Sequence, residues 1–165
     1  MINFKRAIVI GCPGSGKSTF ARQLQKVTDI PLHYLDMLYW NADKTTVSSE
    51  KFDERLADIL SKDTWIIDGN YGRTMETRIK QCDVIFFLDY PLEICLDGIR
   101  ERLGKPREDM PWIETKEDEE FIDFVKSFAN DSRPKILELL DKYSYKKIIT
   151  FHSREEADNF IHFFK

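Results

Sequence analysis

The stretch that decides the fold is Gly11–Ser18, which reads GCPGSGKS. An apolar, largely β-branched run, Ala7–Ile10, precedes it, and a helical pattern from Thr19 to about Gln25 follows. Strand, glycine-rich turn and helix in this order are the context in which G-x-x-x-x-G-K-[ST] forms a phosphate-binding P-loop. Glycines allow the backbone N–H groups to face phosphate oxygens, and the positive end of the helix points to the same place.

This motif predicts specific roles for its side chains. Lys17 is expected to reach the β- and γ-phosphates of a nucleotide, and the Ser18 hydroxyl is expected to bind Mg²⁺. The predicted nucleotide-binding residues of the loop are Gly11, Pro13, Gly14, Ser15, Gly16, Lys17, Ser18 and Thr19. The alternative is a glycine turn that precedes Lys-Ser by chance, and the flanking strand and helix argue against it.

Length and composition are typical of a globular protein. The 165 residues are 42% hydrophobic and 33% charged, and they predict one domain, 1–165. A net charge of −4 does not favour binding to duplex nucleic acid. Three cysteines without a C-x-x-C pair indicate reduced thiols in a cytoplasmic protein. No stretch approaches the length of a transmembrane helix.

Five short apolar runs alternate with helical patterns. The predicted strands are Phe4–Ile10, Pro31–Leu35, Thr64–Ile67, Val84–Leu88 and Lys147–Phe151. This alternation predicts an α/β fold, with a five-stranded parallel sheet and helices on both faces. Ligands of such sheets bind outside the carboxyl ends of the strands. Asp36, Asp68 and Asp89 each follow or end a strand, so we expect them at the same edge as the P-loop.

The helical patterns are interrupted once by a long irregular segment. Helices are predicted over about Lys17–Val27, Glu50–Leu60, Thr74–Gln81, Pro91–Leu103 and Glu117–Asn130, and two more start near Pro134 and Ser153. Between them, residues 104–114 contain two prolines, one glycine and mixed charge without a period. This composition predicts a mobile segment.

Two of the strand-end carboxylates are candidates for chemistry. Asp68 ends an apolar strand, where an acidic partner of Mg²⁺ is expected, directly or through water; the alternative is a turn carboxylate in Asp-Gly-Asn. Asp36 follows a strand beside Tyr39 and Trp40, and a carboxylate there is able to accept the proton of an acceptor hydroxyl. The alternative is a capping residue beside the hydrophobic core.

Three arginines are candidates for contact with phosphates. Arg73 lies in a loop after the third strand, Arg107 lies in the predicted mobile segment, and Arg133 lies downstream of it. Phosphoryl transfer needs cations around the developing charge, and arginine is suited to bidentate contact. We predict Arg73 and Arg107 as catalytic residues and Arg133 as a nucleotide-binding residue. Each one alone is also compatible with an ordinary surface charge.

Several motifs together resemble one protein family. Besides the P-loop, these are LDMLYW at Leu35–Trp40, IDGNYGRT at Ile67–Thr74, FLDYP at Phe87–Pro91 and GKPR at Gly104–Arg107. They resemble the DNA topology modulation (FlaR-type) proteins, which are P-loop proteins related to adenylate kinases. The resemblance covers nearly the whole chain.

The resemblance implies a fold and a set of roles. The fold would be that of the nucleoside-monophosphate kinases, with an acceptor-binding region at about 36–62 and a short lid at about 104–116. ATP would be the nucleotide, and its base would pack near residues 152–154. Asp68 would hold Mg²⁺ through water. Arg73 would clamp an acceptor phosphate, although Asn-Tyr-Gly-Arg replaces the Phe-Pro-Arg of adenylate kinases here.

Two functions follow as hypotheses. The first is a kinase that transfers the γ-phosphoryl group of ATP·Mg²⁺ to a small acceptor, such as a nucleoside monophosphate or a related metabolite. A phosphate acceptor needs Arg73 and no base, whereas a hydroxyl acceptor needs a base, for which Asp36 is the candidate. The second is a nucleotide-dependent regulator, suggested by the family name, with little or no turnover. Direct nucleic-acid binding is not expected, and the chain is a monomer or a homodimer.

Overall fold

A parallel sheet of five strands forms the centre of the protein. The structure, a computed structural model, describes residues 2–164. Its strands are β1 (Arg6–Gly11), β2 (Leu32–Tyr34), β3 (Trp65–Asp68), β4 (Val84–Leu88) and β5 (Lys147–Phe151). They pair in the order β2-β3-β1-β4-β5, and every pairing is parallel. The predicted α/β fold is therefore confirmed.

Helices cover both faces of the sheet. They are α1 (Lys17–Thr28), α2 (Leu35–Tyr39), α3 (Ser49–Leu60), α4 (Gly72–Gln81), α5 (Leu92–Glu101), α6 (Glu119–Asp131), α7 (Arg133–Lys142) and α8 (Arg154–Phe164). Most agree with the sequence pattern to within about two residues. The five-residue α2 was not predicted, because it is too short to establish a helical period. In the region that the structure describes, no helix is long and apolar enough to cross a membrane.

The hydrophobic core lies on the three central strands. Every residue of β3 and β4 is buried, as are the last five residues of β1. The edge strands β2 and β5 are only partly buried. The side chains of the central strands are buried on both faces of the sheet. Their sequences are therefore nearly continuous apolar runs, as is typical of parallel sheets.

The carboxyl ends of the strands meet at one edge of the sheet. Asp68, at the end of β3, is in register with Val9 of β1 and Tyr34 of β2. Gly11, at the end of β1, is in register with Leu88 of β4. The four segments that follow these strands therefore start side by side and form the walls of a single cavity.

Candidate active site

A cavity of about 1040 Å³ lies at the carboxyl edge of the sheet. It is at the upper end of the usual size range of small-molecule sites. Its walls include residues 13–20 of the P-loop and α1, the carboxylates of Asp36 and Asp68, and the loop residues Asn70 and Tyr71. The loop between α5 and α6, residues 102–118, forms a further wall. The P-loop thus shares one cavity with carboxylates and arginines from distant parts of the chain.

The P-loop adopts a conformation that depends on its glycines. Gly14 has φ +81°, and a Cβ atom there would lie 2.0 Å from the carbonyl oxygen of Cys95. At Gly11 a Cβ atom would lie 2.5 Å from the carbonyl oxygen of Leu88. Within the loop, Lys17 Nζ donates a hydrogen bond to the Cys12 carbonyl at 3.2 Å. The loop is therefore closed on itself, with backbone packed where a side chain would not fit.

Ser18 and Asp68 form a contact at the base of the cavity. The Ser18 hydroxyl donates a hydrogen bond to Asp68 Oδ2 at 2.5 Å. Asp68 is buried, and this burial raises the pKa of its carboxyl to about 6 despite the nearby Lys17 charge. Among residues 2–164, neither Asp68 Oδ1 nor the buried Ser15 Oγ has a hydrogen-bond partner. These are polar atoms of the kind that a bound cation or phosphate group satisfies.

Asp36 lies in the first turn of α2 and faces the same cavity. Its Oδ1 accepts a hydrogen bond of 2.5 Å from the Tyr71 hydroxyl. Burial raises the pKa of the Asp36 carboxyl, whereas the Tyr71 hydrogen bond and the Lys17 charge act in the opposite direction. The structure thus brings Asp36 and the P-loop lysine into one cavity, as the sequence predicted for strand-end residues.

Two residues with no predicted role hold the loop after β3. The Gly11 N–H donates to Asn70 Oδ1 at 3.0 Å, and Asn70 Nδ2 donates to the Gly11 carbonyl at 2.6 Å. Arg78 of α4 is fully buried and donates to the carbonyls of Gly69, Asn70 and Tyr71. Asn70 belongs to the motif DGNYGR, and this motif could have identified it as a residue of the site. The sequence pattern contains no comparable signal for Arg78.

The 102–118 loop brings two arginines to the cavity wall. Arg102 Nε lies 3.3 Å from Glu114 Oε2, and Arg107 Nη1 lies 3.9 Å from the same oxygen. Arg107 also lies 3.7 Å from the buried Asp109. Both guanidinium groups are thus restrained by acidic groups of their own loop, and Arg107 occupies the cavity wall as expected from its sequence position.

An aromatic contact connects this loop to the segment after α2. The rings of Trp40 and Trp112 lie edge to face with centroids 5.1 Å apart. Both indoles line the cavity. Trp112 belongs to a proline-flanked stretch without a period, so no sequence pattern pairs it with Trp40.

The other two predicted arginines lie elsewhere. Among residues 2–164, which the structure describes, Arg73 and Arg133 are not part of the cavity wall. Arg73 is exposed and pairs with Asp53 of α3, at 2.7 and 3.0 Å. Arg133 makes a bidentate pair with Asp89, with both contacts at 2.8 Å. Asp89 therefore binds an arginine in this structure, whereas Asp36 and Asp68 face the cavity.

The sheet order, the P-loop after β1 and the cavity at the carboxyl edge together define a P-loop kinase fold. Solved structures agree with this assignment. A shikimate kinase from Acinetobacter baumannii, in complex with shikimate, is similar with a TM-score of 0.61 and 16% sequence identity, covering 98% of this chain and 93% of that one. A shikimate kinase from Bacteroides thetaiotaomicron is similar with a TM-score of 0.56 and 17% identity, covering 97% and 95%.

The sequence comparisons add no narrower assignment. No protein-family model matches the chain. No curated protein matches it either. The resemblance to the DNA topology modulation proteins therefore stays a prediction, and the structural likeness establishes the fold.

Proposed function

We propose that this protein is a kinase that transfers the γ-phosphoryl group of ATP to a hydroxyl group of a small, anionic acceptor. The observation that carries the proposal is the presence of the Asp36 carboxylate and the P-loop Lys17 in the walls of one cavity. A P-loop supplies the donor half of a phosphoryl transfer, and a carboxylate facing the same space supplies the base that a hydroxyl acceptor needs.

The donor side consists of the P-loop with Ser18 and Asp68. In the proposal, the loop N–H groups and Lys17 bind the phosphates of ATP, while Ser18 and Asp68 hold Mg²⁺. The partnerless oxygens of Ser15 and Asp68 are consistent with a ligand at this point. When bound, Mg²⁺ would neutralise charge on the phosphate oxygens.

The transfer step uses Asp36 as a general base. Its carboxylate accepts the proton of the acceptor hydroxyl, and the hydroxyl oxygen forms a bond to the γ-phosphorus of ATP. The bond between that phosphorus and the bridging oxygen breaks, and ADP leaves with the electron pair. Asp36 afterwards returns its proton to solvent. Arg107 and Lys17 stabilise the negative charge of the group in transfer.

Three arginines of the cavity wall support an anionic acceptor, although acidic groups of the same wall pair with two of them. Arg22, Arg102 and Arg107 line the cavity together with Trp40 and Trp112. In the proposal, segment 36–62 binds the acceptor, and residues 104–116 within the 102–118 loop act as a lid. The same arginines favour one second candidate, a nucleoside monophosphate, whose phosphate is the acceptor and needs no base.

The decisive experiment is ADP release from ATP·Mg²⁺ with a panel of hydroxy acids, nucleosides and nucleoside monophosphates. We expect acceptor-dependent release with a hydroxylated anion. Asp36→Asn should then reduce turnover by about 100-fold or more, because a general base contributes about 10²–10⁴. The matched control is Asp63→Asn, since Asp63 is an exposed carboxylate between α3 and β3, outside both the cavity wall and segment 36–62.

Other outcomes would redirect the assignment. Full activity of Asp36→Asn with a nucleoside monophosphate would favour the second candidate and remove the base from the mechanism. Tight ATP binding without release for any acceptor in the panel would contradict both kinase proposals and favour a nucleotide-dependent regulator.

A further inference from the structure

Tyr71 connects the Asp36 carboxylate to an aromatic cluster. Its hydroxyl donates to Asp36 Oδ1 at 2.5 Å. Its ring stacks on Phe52 with centroids 5.2 Å apart and planes 25° apart. A third ring, that of Tyr39, meets it edge to face at 5.4 Å. The side chain is therefore held at both ends, by packing at the ring and by a hydrogen bond at the hydroxyl.

The backbone of Tyr71 has an unusual conformation. Its φ of +38° and ψ of 70° lie in the left-handed region, which residues other than glycine rarely adopt. The Tyr71 carbonyl accepts hydrogen bonds from the Thr74 N–H at 3.0 Å and from the buried Arg78 at 3.2 Å. Such conformations persist where surrounding contacts determine them, and they cluster at functional sites. The ring of Tyr71 packs against the core, and its hydroxyl adds a contact with Asp36 that glycine or phenylalanine would not supply.

We infer that Tyr71 is a positioning residue that orients Asp36 and leaves its Oδ2 free to take the proton of the acceptor hydroxyl. This inference rests on the proposed kinase function. Tyr71 does not touch the reacting atoms in this role. The residue acts through Asp36: by occupying Oδ1 it selects one carboxylate rotamer, and by donating a hydrogen bond it favours the ionised form.

The charges around Asp36 explain why such a donor matters. Burial, the dominant influence, and the neighbouring Asp109 raise the pKa of Asp36. Lys17 and Arg107 lower it from the P-loop and from the 102–118 loop. The pKa of Tyr71 itself is raised by burial and by the Asp36 charge, so the phenol keeps its proton at neutral pH. Asp68 and Arg102 complete the charged surroundings, through their own interactions with Asp36.

The hydroxyl and the ring of Tyr71 make separable contributions. Stacking on Phe52 needs only the ring, so Tyr71→Phe keeps the packing and removes only the hydrogen bond. Tyr143→Phe is the matched control, because it removes a tyrosine hydroxyl that donates to another carboxylate, that of Glu76 at 2.7 Å, outside the cavity wall. Thermal unfolding of both variants shows whether either fold is altered.

Kinetics at several pH values test the inference. We expect Tyr71→Phe to lower kcat by about tenfold with little change in the KM for ATP, since the base is impaired and the donor site is intact. The acidic limb of the kcat profile should move to higher pH, because the carboxylate loses a donor that favours ionisation. In the Asp36→Asn background, Tyr71→Phe should cause no further loss. Tyr143→Phe should keep both kcat and the pH profile.

A measurement that does not need turnover separates this inference from the kinase proposal. The ionisation of Asp36 is followed by carboxyl ¹³C NMR, and its pKa should rise in Tyr71→Phe and stay unchanged in Tyr143→Phe. If the wild type is active and Tyr71→Phe changes neither the Asp36 titration nor the pH profile of kcat, the role of Tyr71 is overturned and the kinase proposal stands. A wild-type protein without acceptor-dependent turnover would overturn the kinase proposal, and with it a catalytic purpose for the pair.

Discussion

The two sides of the cavity are built in different ways. One side is the P-loop and the start of α1, a continuous stretch of residues 13–20. The opposite side combines Asp36 from α2, Tyr71 from the loop after β3 and Arg107 from the 102–118 loop. The first side depends on local backbone geometry, whereas the second depends on tertiary packing.

This difference suggests how each side tolerates change. A P-loop binds phosphates, which are common to all nucleotides, with groups that neighbour each other in sequence. In an acceptor site made from separate segments, a substitution in one segment changes one wall of the site and leaves the others as they are. We therefore expect substitutions on the P-loop side to affect every acceptor equally and substitutions on the other side to discriminate between acceptors.

The largest effect is expected from Lys17→Ala. Loss of a cation that stabilises the transferring group should reduce turnover by about 10²–10³-fold or more with every acceptor. Steady-state ADP release measures it. Lys26→Ala, at the exposed end of the same helix, is the control and should retain activity. A Lys17 variant that loses activity with only one acceptor would contradict the proposed division between the two sides.

The next largest effect is expected from Arg107→Met. Because Arg107 lines the cavity and is proposed to stabilise the transferring group, its removal should lower kcat/KM for an anionic acceptor by about 10- to 100-fold, the effect of one charge-assisted contact. Arg73→Met, in the exposed pair with Asp53, should change kcat/KM by less than about twofold. The reverse ranking would indicate an acceptor phosphate bound at Arg73, as the resemblance to adenylate kinases implies.

Asn70→Ala tests the link between the two sides. Both of its hydrogen bonds to Gly11 would be lost, so the free energy of unfolding should fall by about 2 kcal/mol. Denaturant unfolding measures this change. Affinity for ATP and for the acceptor should fall together, in contrast to Arg107→Met. An Asn70 variant that weakens only one ligand would show that the two sides are independent.

The smaller of the two expected changes in stability is that of Asp68→Asn, which should make the ligand-free protein more stable. The folded pKa of Asp68 is raised to about 6, so the folded state binds more protons than the unfolded state between about pH 4 and pH 6. Stability of the ligand-free wild type should therefore fall as pH rises through this interval. The shift corresponds to about 3 kcal/mol, and the weaker hydrogen bond from Ser18 to a neutral amide offsets part of it. The variant should therefore lack that fall and be more stable at pH 7 by about 1–2 kcal/mol. Unfolding curves without ATP or Mg²⁺ at pH 4 and pH 7 test it, and identical pH dependence in both proteins would contradict it.

The sequence predicted those parts of the molecule that depend on local pattern. β4 and β5 begin and end where the apolar runs do, and Asp36 and Asp68 lie at the predicted edge because parallel strands share an orientation. The P-loop contacts the cavity for the same reason. Each of these features is encoded within a few neighbouring residues, so no tertiary information was needed to find it.

The remaining features depend on contacts between distant residues. Asn70 binds Gly11, which lies 59 positions away. Trp40 meets Trp112 only because the 102–118 loop lies against the segment after α2. Arg73 and Arg107 were equivalent candidates by composition, yet a neighbouring carboxylate of α3 pairs with Arg73 outside the cavity. No period or spacing in the sequence specifies which of these two arginines faces the cavity.

The close approach of the P-loop to α5 has a mechanical consequence. Besides the contact of Gly14 with Cys95, a Cβ atom at Gly98 would lie 2.0 Å from the Gly14 carbonyl. The turn that would surround the phosphates therefore rests directly on the helix whose far end leads into the 102–118 loop. Any shift of the turn is passed to α5 without an intervening side chain to absorb it. A displacement of the turn on ligand binding would therefore displace the ten-residue α5, and with it the start of the 102–118 loop.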